Sequence, residues 1–141
     1  MSDWNAQVIA EFRDNDGKVE QFGDAPLLIL HTIGAKSGQV REIPLVTLVQ
    51  GNDLYLFASK GGATTNPDWY FNLKANPEID VELGATITGA GIERIRAELV
   101  QLDDATAAAK IADMADAMAQ FAEYVESAKP RVIPGFQLVR K

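Results

Sequence analysis

The apolar runs between residues 25 and 101 are short, and glycine, asparagine or proline punctuates them throughout. The run Leu27-Leu28-Ile29-Leu30-His31-Thr32 predicts a strand buried on both faces. After a glycine-bounded turn at 34–38, residues 39–50 are β-rich but contain Pro44. Proline cannot donate to a ladder, so a bulge or a sheet edge is expected there. Gly51-Asn52-Asp53 marks a hairpin turn into a strand over 54–58. Ile79, Val81 and Leu83 alternate with Asp80 and Glu82, as in a half-buried strand, and Thr86-Ile87-Thr88 follows a Gly84-Ala85 turn. Beyond Gly89 and Gly91, Ile95, Ala97 and Leu99 alternate with Arg94, Arg96 and Glu98, and a final strand is expected over 131–139. Strands and long helices do not alternate, which disfavours a doubly wound parallel sheet. The pattern predicts a mainly β, α+β architecture, an antiparallel barrel with peripheral helices.

The helices are few. Val8, Ile9 and Phe12 continue a stripe begun by Trp4, predicting a helix over 3–14 capped by Asp3. Covering a barrel end suits it better than lying on a membrane surface, because its polar face is acidic. Asp68 is read as the cap of a short helix through Trp69, Tyr70 and Leu73, ended by Asn76-Pro77. Ile111, Met114, Met118, Phe121 and Val125 recur at helical spacing over 103–127. The 141 residues are read as one domain with its barrel core over 25–101. A net charge of −7 argues against a nucleic-acid partner. The absence of cysteine excludes disulfides, iron–sulfur clusters and a thiol nucleophile. A single histidine and scattered carboxylates, read as solvent-facing, leave no metal site expected. No leader-like segment and no run near the ~20 apolar residues of a spanning helix is visible, so a cytoplasmic location is the default.

Against that acidic background, residues 25–77 carry Lys36, Arg41, Lys60 and Lys74 but only Glu42, Asp53 and Asp68, a local balance of +1. A cationic island of this size suits a small anion better than a polyanion. Lys36 and Arg41 flank the turn containing Ser37 and Gly38, where two cations and turn amides together make an anion cradle, phosphate above all. Gly34-Ala35-Lys36-Ser37 is not a P-loop, since the upstream glycine and the following helix are both missing. Ala58-Ser59-Lys60-Gly61-Gly62 closes a predicted strand with a loop whose amides can meet the carbonyl oxygens of a flat heterocycle. Trp69 and Tyr70 either stack on such a ring or belong to the core. His31 reads as a structural, hydrogen-bonded histidine, and no nucleophile motif supports a hydrolase.

Read in order, Gly34-Ala35-Lys36-Ser37-Gly38-Gln39-Val40-Arg41-Glu42-Ile43-Pro44-Leu45, Ala58-Ser59-Lys60-Gly61-Gly62 and Pro67-Asp68-Trp69-Tyr70-Phe71-Asn72-Leu73-Lys74-Ala75-Asn76-Pro77 closely resemble the deazaflavin-dependent nitroreductase family of actinobacteria. The match is strong over 25–84 and weaker at Arg131-Val132-Ile133-Pro134. The resemblance implies a split β-barrel of the FMN-binding-like kind and coenzyme F420 as cofactor, with FMN as the alternative. It implies that Lys36 and Arg41 hold the coenzyme's phosphate, and that Ser37, Gly38 and Pro44 belong to the same cofactor site. Ala58, Ser59, Lys60, Gly61 and Gly62 would line its ring and ribityl chain, and Trp69 and Asn72 would wall the groove. Its members reduce activated C=C bonds of quinones, enones and unsaturated lactones, so a small electrophilic substrate is expected, with Ser59, Phe121 and Tyr124 facing it. No catalytic side chain is assigned. Residues 118–125 hold one tyrosine where nitroimidazole-activating members hold several, which points to a roomier, more apolar pocket for polycyclic enones or lactones. A non-catalytic carrier of the coenzyme or of a lipid-like ligand is the rival, and a homodimer is left open.

Overall fold

A computed structural model describes residues 3–141, with side chains from Trp4 onward. Its strands are β1 (Leu27–Ile33), β2 (Val40–Val46), β3 (Leu48–Gln50), β4 (Asp53–Phe57), β5 (Glu78–Leu83), β6 (Glu93–Gln101) and β7 (Gly135–Arg140). They form one antiparallel sheet in the order β2-β1-β5-β6-β7-β4-β3. The two edge strands are consecutive in the chain and meet at Thr47, whose amide donates to Pro26 O at 2.9 Å. That bend curls the sheet into a half-barrel. Pro44 lies in β2, an edge strand, where its missing donor costs no ladder bond. The hairpin between β3 and β4 turns through Gly51 at φ +63, in the left-handed region a glycine reaches without strain.

Alternation along each strand divides the apolar side chains between layers. Leu28, Leu30, Leu54, Leu56, Ile79, Val81 and Leu83 fill the barrel. Leu27 and Ile29, on the other face of β1, pack under Val8, Ile9 and Phe12 of α1 (Asp3–Asp14). Burial on both faces explains why β1 reads as an unbroken apolar run. Trp4 is half-exposed and meets Phe22 edge-on instead of joining that core, and the expected Asp3 cap lies outside the described side chains. Tyr55 and Phe57 of β4 face a third cluster with Ile111, Met114 and Phe121.

Four expectations are corrected. The helix over 103–127 is two helices, α4 (Asp104–Ala117) and α5 (Gln120–Ala128), parted at Met118, whose backbone is extended. No glycine or proline marks the break; it lets Ile111, Met114 and Phe121 converge on one curved surface. Thr86–Thr88 is not extended but belongs to a helical turn, α3 (Ala85–Thr88), stopped by left-handed Gly89. The final strand begins at Gly135, four residues later than expected, because Pro130 and Pro134 have no N–H to give a ladder; only the Pro134 carbonyl, accepting from Ala58 N, extends the pairing. Asp68 does not cap α2 (Asp68–Ala75): Pro67 holds the cap position, and the carboxylate sits in the first turn.

Candidate functional site

Thr32 of β1 is paired with Arg41 of β2, and the turn between them folds back through Gly34 N to Gln39 O at 2.8 Å and Gly38 N to Gly34 O at 2.9 Å. Helix α2 lies against this end of the barrel. Its Asn72 Oδ1 accepts from Ala35 N at 3.0 Å, and Asn76 Nδ2 donates to Ile33 O at 3.4 Å. Trp69, one turn from Asn72, is 7% exposed and tilts against Phe136 with ring centroids 6.0 Å apart, so most of its ring is core. Turn and helix enclose a cleft of about 750 Å³ whose lining includes Lys36, Ser37, Arg41, Trp69 and Asn72. Among the described residues, Lys36 and Arg41 have no hydrogen-bonding or ionic side-chain partner. Each of the other five arginines has one. Two unpaired cations on one cleft attract an anion, and Asp68, the one carboxylate in the lining, opposes them only in part.

Strand β3 pairs with β4 only as far as Leu48↔Tyr55. Carried on, that register would set Pro44 against Ser59, but β2 pairs with β1 instead and the two backbones part. Residues 58–62 therefore continue β4 beyond its pairing with β3. Ala58 N donates to Pro134 O, Gly62 N to Ser59 O and Ala63 N to Lys60 O, which leaves the amides of Ser59, Lys60 and Gly61 without a backbone acceptor among the described residues. Gly62 has φ +84, and a Cβ there would fall 2.9 Å from Ser127 Cβ and 3.0 Å from Tyr124 Cα. The loop is thus pressed on α5, where Tyr124 is partly exposed and meets Phe121 edge-on at 5.2 Å. Phe121 itself is 5% exposed and belongs to the core. The cleft lining does not include Gly38, Pro44 or residues 58–62, so the structure unites parts of the first and third motifs and leaves the second outside that cleft.

The sequence reading missed two arrangements. Glu82, read as solvent-facing, is 7% exposed and lies under α1. It accepts from Arg13 Nη2 at 2.7 Å and Nε at 3.2 Å and is bonded to His31 Nε2 at 2.6 Å. Arg13 also bonds Glu42. Burial pushes the Glu82 carboxyl upward, but the bonds from Arg13 and His31 outweigh it and hold it below its ordinary range; Arg13 is raised in turn by its bonds to Glu82 and Glu42. His31, Glu42 and Glu82 offer ligand atoms within 4.8 Å of one another, yet Arg13 already sits between the carboxylates as their cation. His31 is hydrogen-bonded and structural, as expected. The second is Arg131, which donates to Ala58 O (2.8 Å), Ser59 O (2.9 Å), Ala63 O (2.7 and 3.0 Å) and Asn66 Oδ1 (2.7 Å). No local pattern announces either arrangement, since the bonded partners lie 29 to 73 residues apart.

Sequence and architecture are both shared with known proteins. A family model described as F420H(2)-dependent quinone reductase matches residues 4–135. A Mycobacterium tuberculosis protein named F420H(2)-dependent quinone reductase is 40% identical over 77 residues, 53% of this chain and 52% of that protein. The chain thus spans about half the length of the curated relatives it matches. The solved structure of an F420-H2 dependent reductase, FDR-A, aligns with a TM-score of 0.66 at 31% identity, covering 80% of this chain and 93% of its own. Another, described as a domain-swapped dimer, aligns with a TM-score of 0.67 at 29% identity over 96% of this chain and 97% of its own. The half-barrel is the split, FMN-binding-like architecture expected from the sequence. No helix among the described residues is long and apolar enough to cross a membrane.

Proposed function

The chain belongs to the F420H(2)-dependent quinone reductase family, and from that membership we propose that it binds reduced coenzyme F420 and reduces quinones, enones or unsaturated lactones. The observation that carries this reading is the pair Lys36 and Arg41, unpaired among the described residues and lining one cleft at the split of the barrel. These residues fit the coenzyme's phosphate end, each worth about 1.5–3 kcal/mol as a charge-assisted bond. Ser37 and Gly38 complete the turn around it, and Asn72 fixes that turn through Ala35 N. Trp69 gives the cleft a rigid aromatic wall. Outside that cleft, the free amides of Ser59, Lys60 and Gly61 suit the carbonyl oxygens of a planar ring.

When bound, the reduced deazaflavin supplies a two-electron hydride. The protein's tasks are to hold the ring against the split, to exclude water with the buried side chains behind it, and to fix the electrophile beside the loop. Ala58 and Gly62, both buried, set the depth of that loop, Pro44 belongs to the same site, and Ser59 and Tyr124 flank the space left for substrate. Phe121 contributes by packing edge-on behind Tyr124.

Titration with oxidised and reduced coenzyme, followed by turnover of a panel of quinones, enones, lactones and nitroimidazoles, tests the proposal. The expected outcome is saturable coenzyme binding that weakens with salt, and turnover of quinones and enones ahead of small nitroimidazoles. Retention of FMN in preference to the deazaflavin, or coenzyme binding without turnover of any electrophile, defeats it.

A further inference from the structure

Five of this protein's six arginines make side-chain contacts, and four of those five pair with carboxylates. Arg131 is the exception. Its guanidinium uses Nε, Nη1 and Nη2 on three backbone carbonyls and the Asn66 amide oxygen, with no carboxylate partner among the described residues. Burial without an anion pushes its pKa down from the ordinary arginine value, though an arginine stays charged regardless. A partly buried, uncompensated cation that reads only carbonyls has a geometric consequence. In a trans peptide the C=O of one residue and the N–H of the next point in opposite directions. Drawing Ala58 O and Ser59 O toward Arg131 therefore turns the amides of Ser59 and Lys60 away from it. Those two amides, with that of Gly61, lack a backbone acceptor among the described residues.

We propose that Arg131 is a positioning residue that turns the amides of Ser59 and Lys60, beside that of Gly61, into a face of donors for the acceptor atoms of the coenzyme's ring. This rests on the coenzyme reading above and adds to it a residue far from the loop in sequence. The planar fork is essential: it spans the carbonyls of Ala58, Ser59 and Ala63 at once, which a lysine ammonium of the same charge does not. The unneutralised charge behind the loop also favours a ring whose oxygens carry negative charge.

Arg131→Lys and Arg131→Ala are compared with Lys36→Ala by titration with coenzyme F420, recording both affinity and the absorption band of the bound coenzyme at saturation. Both Arg131 variants are expected to bind at least tenfold more weakly. Their bound band should revert toward that of free coenzyme, because the amides no longer meet the ring. Lys36→Ala should bind more weakly with the band of the wild type, since it touches only the phosphate end. Methylguanidinium added to Arg131→Ala should recover part of both signals. If Arg131→Ala does not fold, Arg131→Lys decides alone. Wild-type affinity together with a wild-type band in Arg131→Lys overturns the positioning role and leaves the coenzyme reading standing. No binding by the wild-type protein overturns both.

Discussion

Arg41 and Glu42 are adjacent on β2, yet they belong to opposite sides of the sheet and to opposite kinds of chemistry. Arg41 lines the cleft beside Lys36, and among the described residues neither cation has an anion. Glu42 faces α1, where it joins Glu82, Arg13 and His31 in a network that gives every charge a partner. Two carboxylates against one guanidinium and one imidazole make a self-contained cluster, fixed when the chain folds. Two cations against one carboxylate, with no ion pair among them, make a site that is electrostatically incomplete. Strand alternation puts the two charges on separate sides of the sheet, and only the side under α1 supplies partners from within the chain.

The largest expected effect tests the structural half. Removing the Glu82 carboxylate strips Arg13 and His31 of their shared acceptor beneath α1. Glu82→Ala should cost about 2–4 kcal/mol in chemical denaturation, toward the lower end because Arg13 retains water contact. Coenzyme affinity should stay within twofold of wild type. A tenfold loss of affinity would join the two sides that the comparison keeps apart.

Next in size is the recruiting half. Arg41→Ala and Lys36→Ala should each weaken coenzyme binding by about 1.5–3 kcal/mol, yet change stability by no more than about 0.5 kcal/mol, since neither loses an internal partner. Equal and large losses of stability would show that the cations are structural after all. Acid sharpens the contrast further. The Glu82 carboxyl is held below its ordinary value near 4.5, so its stabilisation is full above that range and fades as pH falls through the depressed value. Melting temperatures of wild type and Glu82→Gln should converge as the pH drops from neutrality toward 3. A gap that stays constant over that interval would place the stabilisation elsewhere.

The recruiting half was the more legible one. Lys36, Ser37, Arg41, Trp69 and Asn72 lie within two segments whose spacing shows in the chain, and both segments border one cleft. The barrel strands were legible because turn residues punctuate them. The network under α1 was not, because Glu82 alternates with Ile79, Val81 and Leu83 exactly as a solvent-facing residue would; only the covering helix buries it. The break between α4 and α5 escaped for a related reason. No glycine or proline stands at 118–119, and the residues that pack across the break, Ile111, Met114 and Phe121, keep helical spacing in the chain.

The smallest effect concerns the one carboxylate that crosses the division. Asp68, in the first turn of α2, lines the cleft and has no partner among the described residues. As an acid near a helix N-terminus it favours the helix, and as an anion beside Lys36 and Arg41 it competes with an incoming phosphate. Asp68→Asn keeps its size and removes only the charge. It should tighten coenzyme binding two- to fivefold at low salt, about 0.4–1 kcal/mol, and lower stability by an amount of the same order. The gain should vanish at high salt, where exposed charges are screened. Glu42→Gln, one residue from Arg41 but on the other face, should give no such gain at any ionic strength. If both substitutions tighten binding equally, the effect is one of net charge alone, and the two faces of β2 are not electrostatically separate.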